Sequence, residues 1–259
     1  MSKVLYDKDG PIARITLNRP EAMNAIDFEM IQLLHDIWED FKGDDELRVA
    51  LLKSSSENFC VGFDIASIAA KLGQEKYSWD KSSMFGEVNI NPIEHGVQKP
   101  IISAIAGNVN GAGLWLVLAS DIRLATPKSA FGLGEVRINF PVEFTSLLPR
   151  YMPTSLASEM LYTARPVGAK RLYDLGILNA VVEAEGLQQA AEAYAKDICA
   201  GGPLAMRAMK ALLQKGPDLD YQAILKLSDS LITPVVNSLD TMEGIQAFAQ
   251  KRRPAWQGK

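Results

Sequence analysis

Cysteine and histidine are scarce in this sequence, with two of each among 259 residues. Cys60 and Cys199 stand far apart and neither has a metal-ligand companion at short spacing, so a disulfide-stapled scaffold and a zinc-finger pattern are both excluded. They read as reduced, structural thiols of a cytosolic protein. His35 and His95 also lack a spaced partner for a metal or a nucleophile triad, so both read as structural; His95 lies beside an irregular stretch. No run approaches the roughly 20 apolar residues of a membrane span. The first ten residues lack the apolar core of a secretory signal and the last five carry no peroxisomal or retention tag, which makes cytoplasm the expected compartment. A net charge of -4 and a pI near 5.4 supply no basic surplus for nucleic acid, since phosphate binding rests on clustered Lys and Arg.

What is present is an ordinary globular balance, 47% apolar and 22% charged, enough for a large core. Val4–Tyr6 and Ile12–Leu17 flank a turn at Asp9-Gly10-Pro11 and are expected to pair as a hairpin. Asp27 is placed to cap a helix whose apolar residues Met30, Ile31, Leu34, Ile37, Trp38 and Phe41 fall at helical spacing. Val49–Lys53 reads as a buried strand, Phe59–Gly62 as a strand that ends in a glycine turn, and Ile65–Leu72 as a helix. Gly73–Asn91 is polar, aromatic and aperiodic, the expected mobile loop bordering a binding pocket.

Ile93–Gln98 reads as a short helix, Pro100–Ala106 as a strand and Leu114–Ser120 as a helix buried on all sides, followed by a strand at Asp121–Ala125. Ala130–Gly134 and Glu135–Ile138 read as strand-like pieces, and Phe144–Tyr151 opens a helical region. The rest of the chain is helical, with a soft boundary near Ala200. Strand, glycine turn, helix and strand recur in that order, which predicts repeated ββα or βαβ units in a layered α/β core.

Two glycine turns hold the chemistry. Val61-Gly62-Phe63 and Gly111-Ala112-Gly113 each follow a strand and precede a helix, where backbone N–H groups lack intrahelical partners. Such groups suit a phosphate or the transient oxyanion of a thioester carbonyl, and glycines at these places also serve close helix–sheet packing alone. The second turn has no third glycine at the dinucleotide-binding spacing, and no Gly-Lys-Ser/Thr follows either turn, so nucleotide-phosphate sites of those types are not expected. Two N–H donors on one carbonyl oxygen would form an oxyanion hole.

Taken together, Ile15-Thr16-Leu17-Asn18-Arg19-Pro20, Met23-Asn24-Ala25, Phe59–Ile65, Lys99–Ile102, Gly111–Gly113, Ser129–Gly132 through Glu135-Val136, and Phe248 with Lys251-Arg252 resemble the enoyl-CoA hydratase/isomerase (crotonase) superfamily, in family order over nearly the whole chain. The resemblance implies a spiral of ββα units over residues 1–200 holding an acyl-CoA site. It also implies a helical region over 201–259 that assembles a homotrimer, often doubled to a hexamer. No cofactor is implied, because coenzyme A enters as part of the thioester substrate. Carried over, the oxyanion donors are the N–H groups of Phe63 and Ala112. Substrate contacts fall on Ala25, Phe63, Asp64, Ile65, Ala66 and Ala112, with Phe248 and Lys251 joining from the last helix.

Hydratases of the family keep one glutamate two residues beyond the last glycine of the second turn and another in the Phe-Gly-x-x-Glu segment. Here the second is Glu135, whereas the first position holds Trp115, which reads as core or pocket wall. Losing one carboxylate removes an acid/base group of ~10²–10⁴-fold typical effect, so the resemblance favours double-bond isomerisation with Glu135 as the principal proton carrier. Glu143 falls where dienoyl-CoA isomerases of the family carry a second acid when counted directly from Glu135, but aligning from Leu148-Pro149-Arg150 moves it away. Hydration with a substitute group comes second, and hydrolysis or decarboxylation third. A catalytically silent CoA-binding subunit is the alternative from another class.

Overall fold

The structure, a computed structural model, describes residues 2–72 and 89–259, without the side chains at positions 71, 72 and 143. The expected loop Gly73–Asn91 therefore lies outside the described residues up to position 88. The main sheet has six strands in the order β1 (Val4–Asp9), β2 (Ile12–Leu17), β3 (Val49–Ser54), β4 (Ile101–Ile105), β6 (Ile122–Ala125) and β9 (Ala180–Val181). Only β1 and β2 pair antiparallel, through the tight turn at Gly10-Pro11; each later pairing is parallel. A smaller sheet is formed by β5 (Asn108–Asn110), β7 (Ala130–Gly132) and β8 (Val167–Gly168).

Parallel strands need crossovers that cover both faces of the sheet. Alternate residues of β3 point to opposite sides, and both sides are buried: Ala50 and Leu52 join the core beneath α1 (Phe28–Gly43), while Val49 and Leu51 join Leu187, Ala191 and Ala195 of α6 (Ala184–Ala200). The Asp27 carboxylate accepts from the Met30 N–H and caps α1 as expected. The six apolar residues read from its spacing are all buried.

The two layers make a spiral. β4 leads into β5 and then α3 (Ala112–Leu118); β6 leads into β7 and then a 3-10 turn at Glu135–Ile138. Before them, β3 leads through Phe59–Phe63 into α2 (Ile65–Leu72). The second-layer segments of these turns lie side by side and parallel, through the Ile26–Phe63 and Cys60–Val109 bridges and the β5–β7 pairing. The chain therefore leaves all three segments along one edge.

Some local expectations change. Ile93–Gln98 is a set of turns, because Asn91 Oδ1 accepts from the Ile93 N–H and Gly96 turns left-handed at φ 71°. Glu135–Ile138 is a 3-10 turn ended by left-handed Asn139; the alternation of Val136 and Ile138 that suggests a strand points both side chains outward, 49% and 54% exposed. Phe59–Gly62 makes single bridges rather than a strand, whereas Asn108–Asn110 is a strand and α3 begins at Ala112.

After α4 (Thr154–Thr163) and α5 (Ala169–Asp174), the expected boundary near Ala200 falls between α6 and α7 (Pro203–Lys215). Helices α8 (Tyr221–Val236) and α9 (Leu239–Ala249) follow. Lys210 of α7 ties this region to the core by donating to Asp121 Oδ2 at 2.7 Å and to Lys99 O at 2.8 Å. Beyond that anchor, α8 buries none of its residues, and Leu213, Tyr221, Val236, Leu239, Ile245 and Phe248 are exposed. No helix among the described residues is long and apolar enough to cross a membrane.

Candidate active site

The two glycine turns and Glu135 meet at this edge of the spiral. A Cβ built on Gly62 would stand 3.7 Å from the Ala112 nitrogen. One built on Gly111 would stand 2.3 Å from Glu135 Oε1 and 3.7 Å from Gly62 Cα. Gly111 has φ +50°, so a side chain there is opposed both by the backbone and by the carboxylate that lies over it. Gly113 fits the packing reading instead: a Cβ there would collide with the Cys60 carbonyl oxygen at 2.4 Å.

Backbone pairing sets the direction of the first donor. The Gly62 carbonyl accepts from the Ile26 N–H at 2.8 Å, and in a trans peptide the N–H points opposite to the C=O. The Phe63 N–H therefore faces away from Ile26. Ala112 opens α3, where an N–H has no intrahelical acceptor, and no hydrogen bond among the described residues takes it up.

Glu135 is the carboxyl of this cluster. Its Oε2 is buried and has no hydrogen-bond partner among the described residues. Burial raises its pKa above the ordinary glutamate value, against a smaller opposing effect of the Glu135 and Gly134 N–H groups. A carboxyl held over the second glycine turn, with one oxygen unpartnered among the described residues, is suited to taking and returning a proton.

Trp115 follows Gly111 by one helical turn, its N–H donating to Gly111 O at 3.0 Å. The indole is 8% exposed, stacked on Phe144 at 4.6 Å and 5°, with Tyr151 edge-on at 6.2 Å. It is a packed aromatic wall, and no ionisable group stands at its position. Glu143 opens the 3-10 helix Glu143–Arg150, next to Phe144, but its side chain lies outside the described residues. A cleft of about 460 Å³ borders the Glu135 turn, lined by Val136, Phe140, Val142, Leu161 and Tyr162 among others.

The remaining expected contacts divide. Asp64 caps α2 through the Ser67 N–H and pairs with Arg19, which also donates to the carbonyl of half-buried Ala25. Burial would raise the Asp64 pKa, but the Ser67 and Arg19 hydrogen bonds outweigh it and hold the carboxyl below the ordinary value. Ile65 and Ala66 are exposed on the first turn of α2. Phe248 and Lys251, at the end of α9, are exposed, and no hydrogen bond or ion pair among the described residues joins them to the glycine turns. Arg19 and Asn24 belong to visible motifs whose spacing assigns them no role, and the structure supplies one: fully buried Asn24 bonds Phe59 O, Asn58 O and Ser54 Oγ.

The histidines sit elsewhere. His95 bonds Glu39 and Asn89 O, and His35 accepts from the Asn89 N–H, so both hold residues near position 89 to α1. The described residues contain no cluster of three or more His, Cys, Asp or Glu placed to hold a metal ion.

A family model described as enoyl-CoA hydratase/isomerase matches residues 7–259. The (E)-benzylidenesuccinyl-CoA hydratase of Thauera aromatica is 33% identical over 98% of this chain and 99% of that protein. A carnitinyl-CoA dehydratase of Citrobacter koseri is 31% identical over 98% of each. The crystal structure of an enoyl-CoA hydratase from Mycobacterium tuberculosis superposes with a TM-score of 0.90 at 31% identity, covering 100% of both chains.

Gly111→Ala is expected to push the Glu135 carboxyl away from the turn. Carbon NMR of labelled glutamate then shows the Glu135 titration midpoint move down toward the ordinary value; an unmoved midpoint contradicts this geometry.

Proposed function

The chain belongs to the enoyl-CoA hydratase/isomerase family, and we propose that within it the protein moves a double bond along an acyl-CoA thioester, with Glu135 carrying the proton. The carrying observation is the Glu135 carboxyl over Gly111, its Oε2 without a partner among the described residues, while the position of a second glutamate holds the packed indole of Trp115. In this reading the thioester carbonyl accepts from the Phe63 and Ala112 N–H groups. Ionised Glu135 takes a proton from C2 of a 3-enoyl-CoA; the C2–H electron pair forms a C1–C2 double bond as the C1–O π pair moves onto the oxygen, giving a dienolate that keeps its C3–C4 double bond. Protonated Glu135 then returns the proton to C4: the oxygen's pair re-forms C1–O, the C1–C2 π pair moves to C2–C3, and the C3–C4 π pair forms the new C4–H bond. The product is the conjugated 2-enoyl-CoA, with no net change in atoms or electrons.

Each oxyanion donor lowers such a barrier by ~2.7–4 kcal/mol. Substrate contacts in this reading come from Ala25, Phe63, Asp64, Ile65, Ala66 and Trp115, with Glu143 as a secondary acid. No cofactor is needed beyond the coenzyme A of the substrate. Hydration is the second reading, favoured by the hydratase and dehydratase names of the relatives. It requires a second group to activate water.

We also read the exposed apolar faces of α8 and α9 as an assembly surface for three or six copies, with Phe248 and Lys251 reaching a neighbour's substrate. Sedimentation equilibrium is expected to return the mass of three or six chains, and a monomer at micromolar concentration contradicts it.

The catalytic test is conjugated-thioester absorbance from hex-3-enoyl-CoA. Glu135→Gln is expected to lower the rate by ~10²–10⁴-fold. The base acts ionised and burial raises its pKa, so the wild-type rate is low in acid and climbs with pH through a midpoint above the ordinary ~4.3 of glutamate. Bound thioester with no conjugated product contradicts the isomerase reading, and water addition to a 2-enoyl-CoA that survives Glu135→Gln shows that another group carries the proton.

A further inference from the structure

Behind the first glycine turn lies a hydrogen-bonded chain that begins at a cation. Arg19 Nη1 donates to the Ala25 carbonyl at 2.8 Å and, with its other hydrogen, to Asp64 Oδ2 at 2.8 Å. The nitrogen of the Ala25–Ile26 peptide belongs to Ile26, and its N–H donates to the Gly62 carbonyl at 2.8 Å. The nitrogen of the next peptide in this chain, Gly62–Phe63, is that of Phe63. A guanidinium thus stands two peptide units behind the Phe63 N–H, with every C=O and N–H aligned head to tail.

Aligned hydrogen bonds polarise one another by ~10–30% per bond, more effectively where water is excluded. A cation at the acceptor end of the first peptide strengthens that polarisation, since charge-assisted hydrogen bonds are roughly twice as strong as neutral ones. Gly62 is buried and Ile26 is 1% exposed, so the middle of the chain is shielded from solvent. The guanidinium itself is held from several sides. Its side chain is 17% exposed, its Nε lies 3.6 Å from Asp27 Oδ2, and the Arg19 N–H donates to Asn24 Oδ1 at 2.7 Å. Asn24, in left-handed conformation at φ 56°, in turn anchors the turn that precedes Phe59.

We infer that Arg19 is a positioning residue that orients and polarises the Phe63 N–H as an oxyanion donor, acting through the Ala25–Ile26 and Gly62–Phe63 peptides without touching substrate. The inference rests on the thioester reading above and adds a residue to it. Asp64 serves the same device by fixing the guanidinium, so its place beside the site is explained by this fork.

The test uses but-2-enoyl-CoA labelled with ¹³C at the carbonyl, bound to the full chain and observed by infrared difference spectroscopy. In the wild type the bound carbonyl band moves to lower frequency. Arg19→Gln, with circular dichroism and thermal unfolding showing that it is folded, is expected to bind the thioester within about threefold of wild type yet lose much of the band shift. Its kcat is expected to fall by roughly tenfold with KM nearly unchanged, less than the ~10²–10³-fold of removing a donor outright. Arg19→Lys, which keeps a charge and a donor, restores part of both and is read in the same way if Arg19→Gln does not fold. A band shift and kcat that stay at wild-type values in folded Arg19 variants overturn the inference, as does a loss that only tracks the unfolded fraction. A wild-type protein that binds the thioester without shifting its carbonyl band overturns the oxyanion reading itself, a result distinct from failure of the Arg19 relay.

Discussion

Backbone hydrogen bonds between successive turns of the spiral are the constraint on which the site depends. Ile26 to Gly62, Asn110 to the Cys60 carbonyl, and Gly111 to the Gly132 carbonyl are three such bonds, at 2.8, 2.9 and 3.2 Å. They hold the second-layer segments in one parallel register, so the residues that leave those segments share an edge. Phe63, Ala112 and Glu135 are far apart in sequence, and no single element could bring them together. The small sheet has only two or three residues per strand, and its Val109, Phe131 and Val167 are buried in the same core as α1. Its register is backed by the large core on either side of the main sheet, where β3 is buried on both faces.

Within that frame the carboxyl is placed at a cost to stability. Burial raises the Glu135 pKa, so the folded state binds its proton more tightly than the unfolded chain does. That preference favours folding in acid and is lost as pH rises through the folded pKa. Above that point the fold holds an ionised group with a buried oxygen that has no partner among the described residues. Such an arrangement is common where a group is kept for proton transfer rather than for stability.

Much of this was legible in the sequence where the signal is local. The Asp27 cap and the six-residue apolar face of α1 rest on spacing within one element, and both appear as expected; of the two glycine turns the second follows a strand as expected, whereas the first follows only single bridges. Short segments were harder. Asn108–Asn110 is too brief to show a period of two, and Val136 and Ile138 imitate a strand because two exposed apolar residues happen to alternate. The Arg19–Ala25–Ile26–Gly62 chain could not be read at all, since its bonds join peptides across some 40 positions that only the fold brings together. The motif residues around Arg19 and Asn24 marked the place without giving the reason.

Whether this site forms an enolate with Glu135 as the base is read most directly by mass spectrometry of butanoyl-CoA incubated with the protein in D₂O, because a saturated thioester has no double bond to move or hydrate. Deuterium is expected to enter at C2 with wild-type protein and to be lost in Glu135→Gln. Butanoyl-CoA that binds but gains no deuterium, or exchange that persists in Glu135→Gln, would contradict the enolate mechanism.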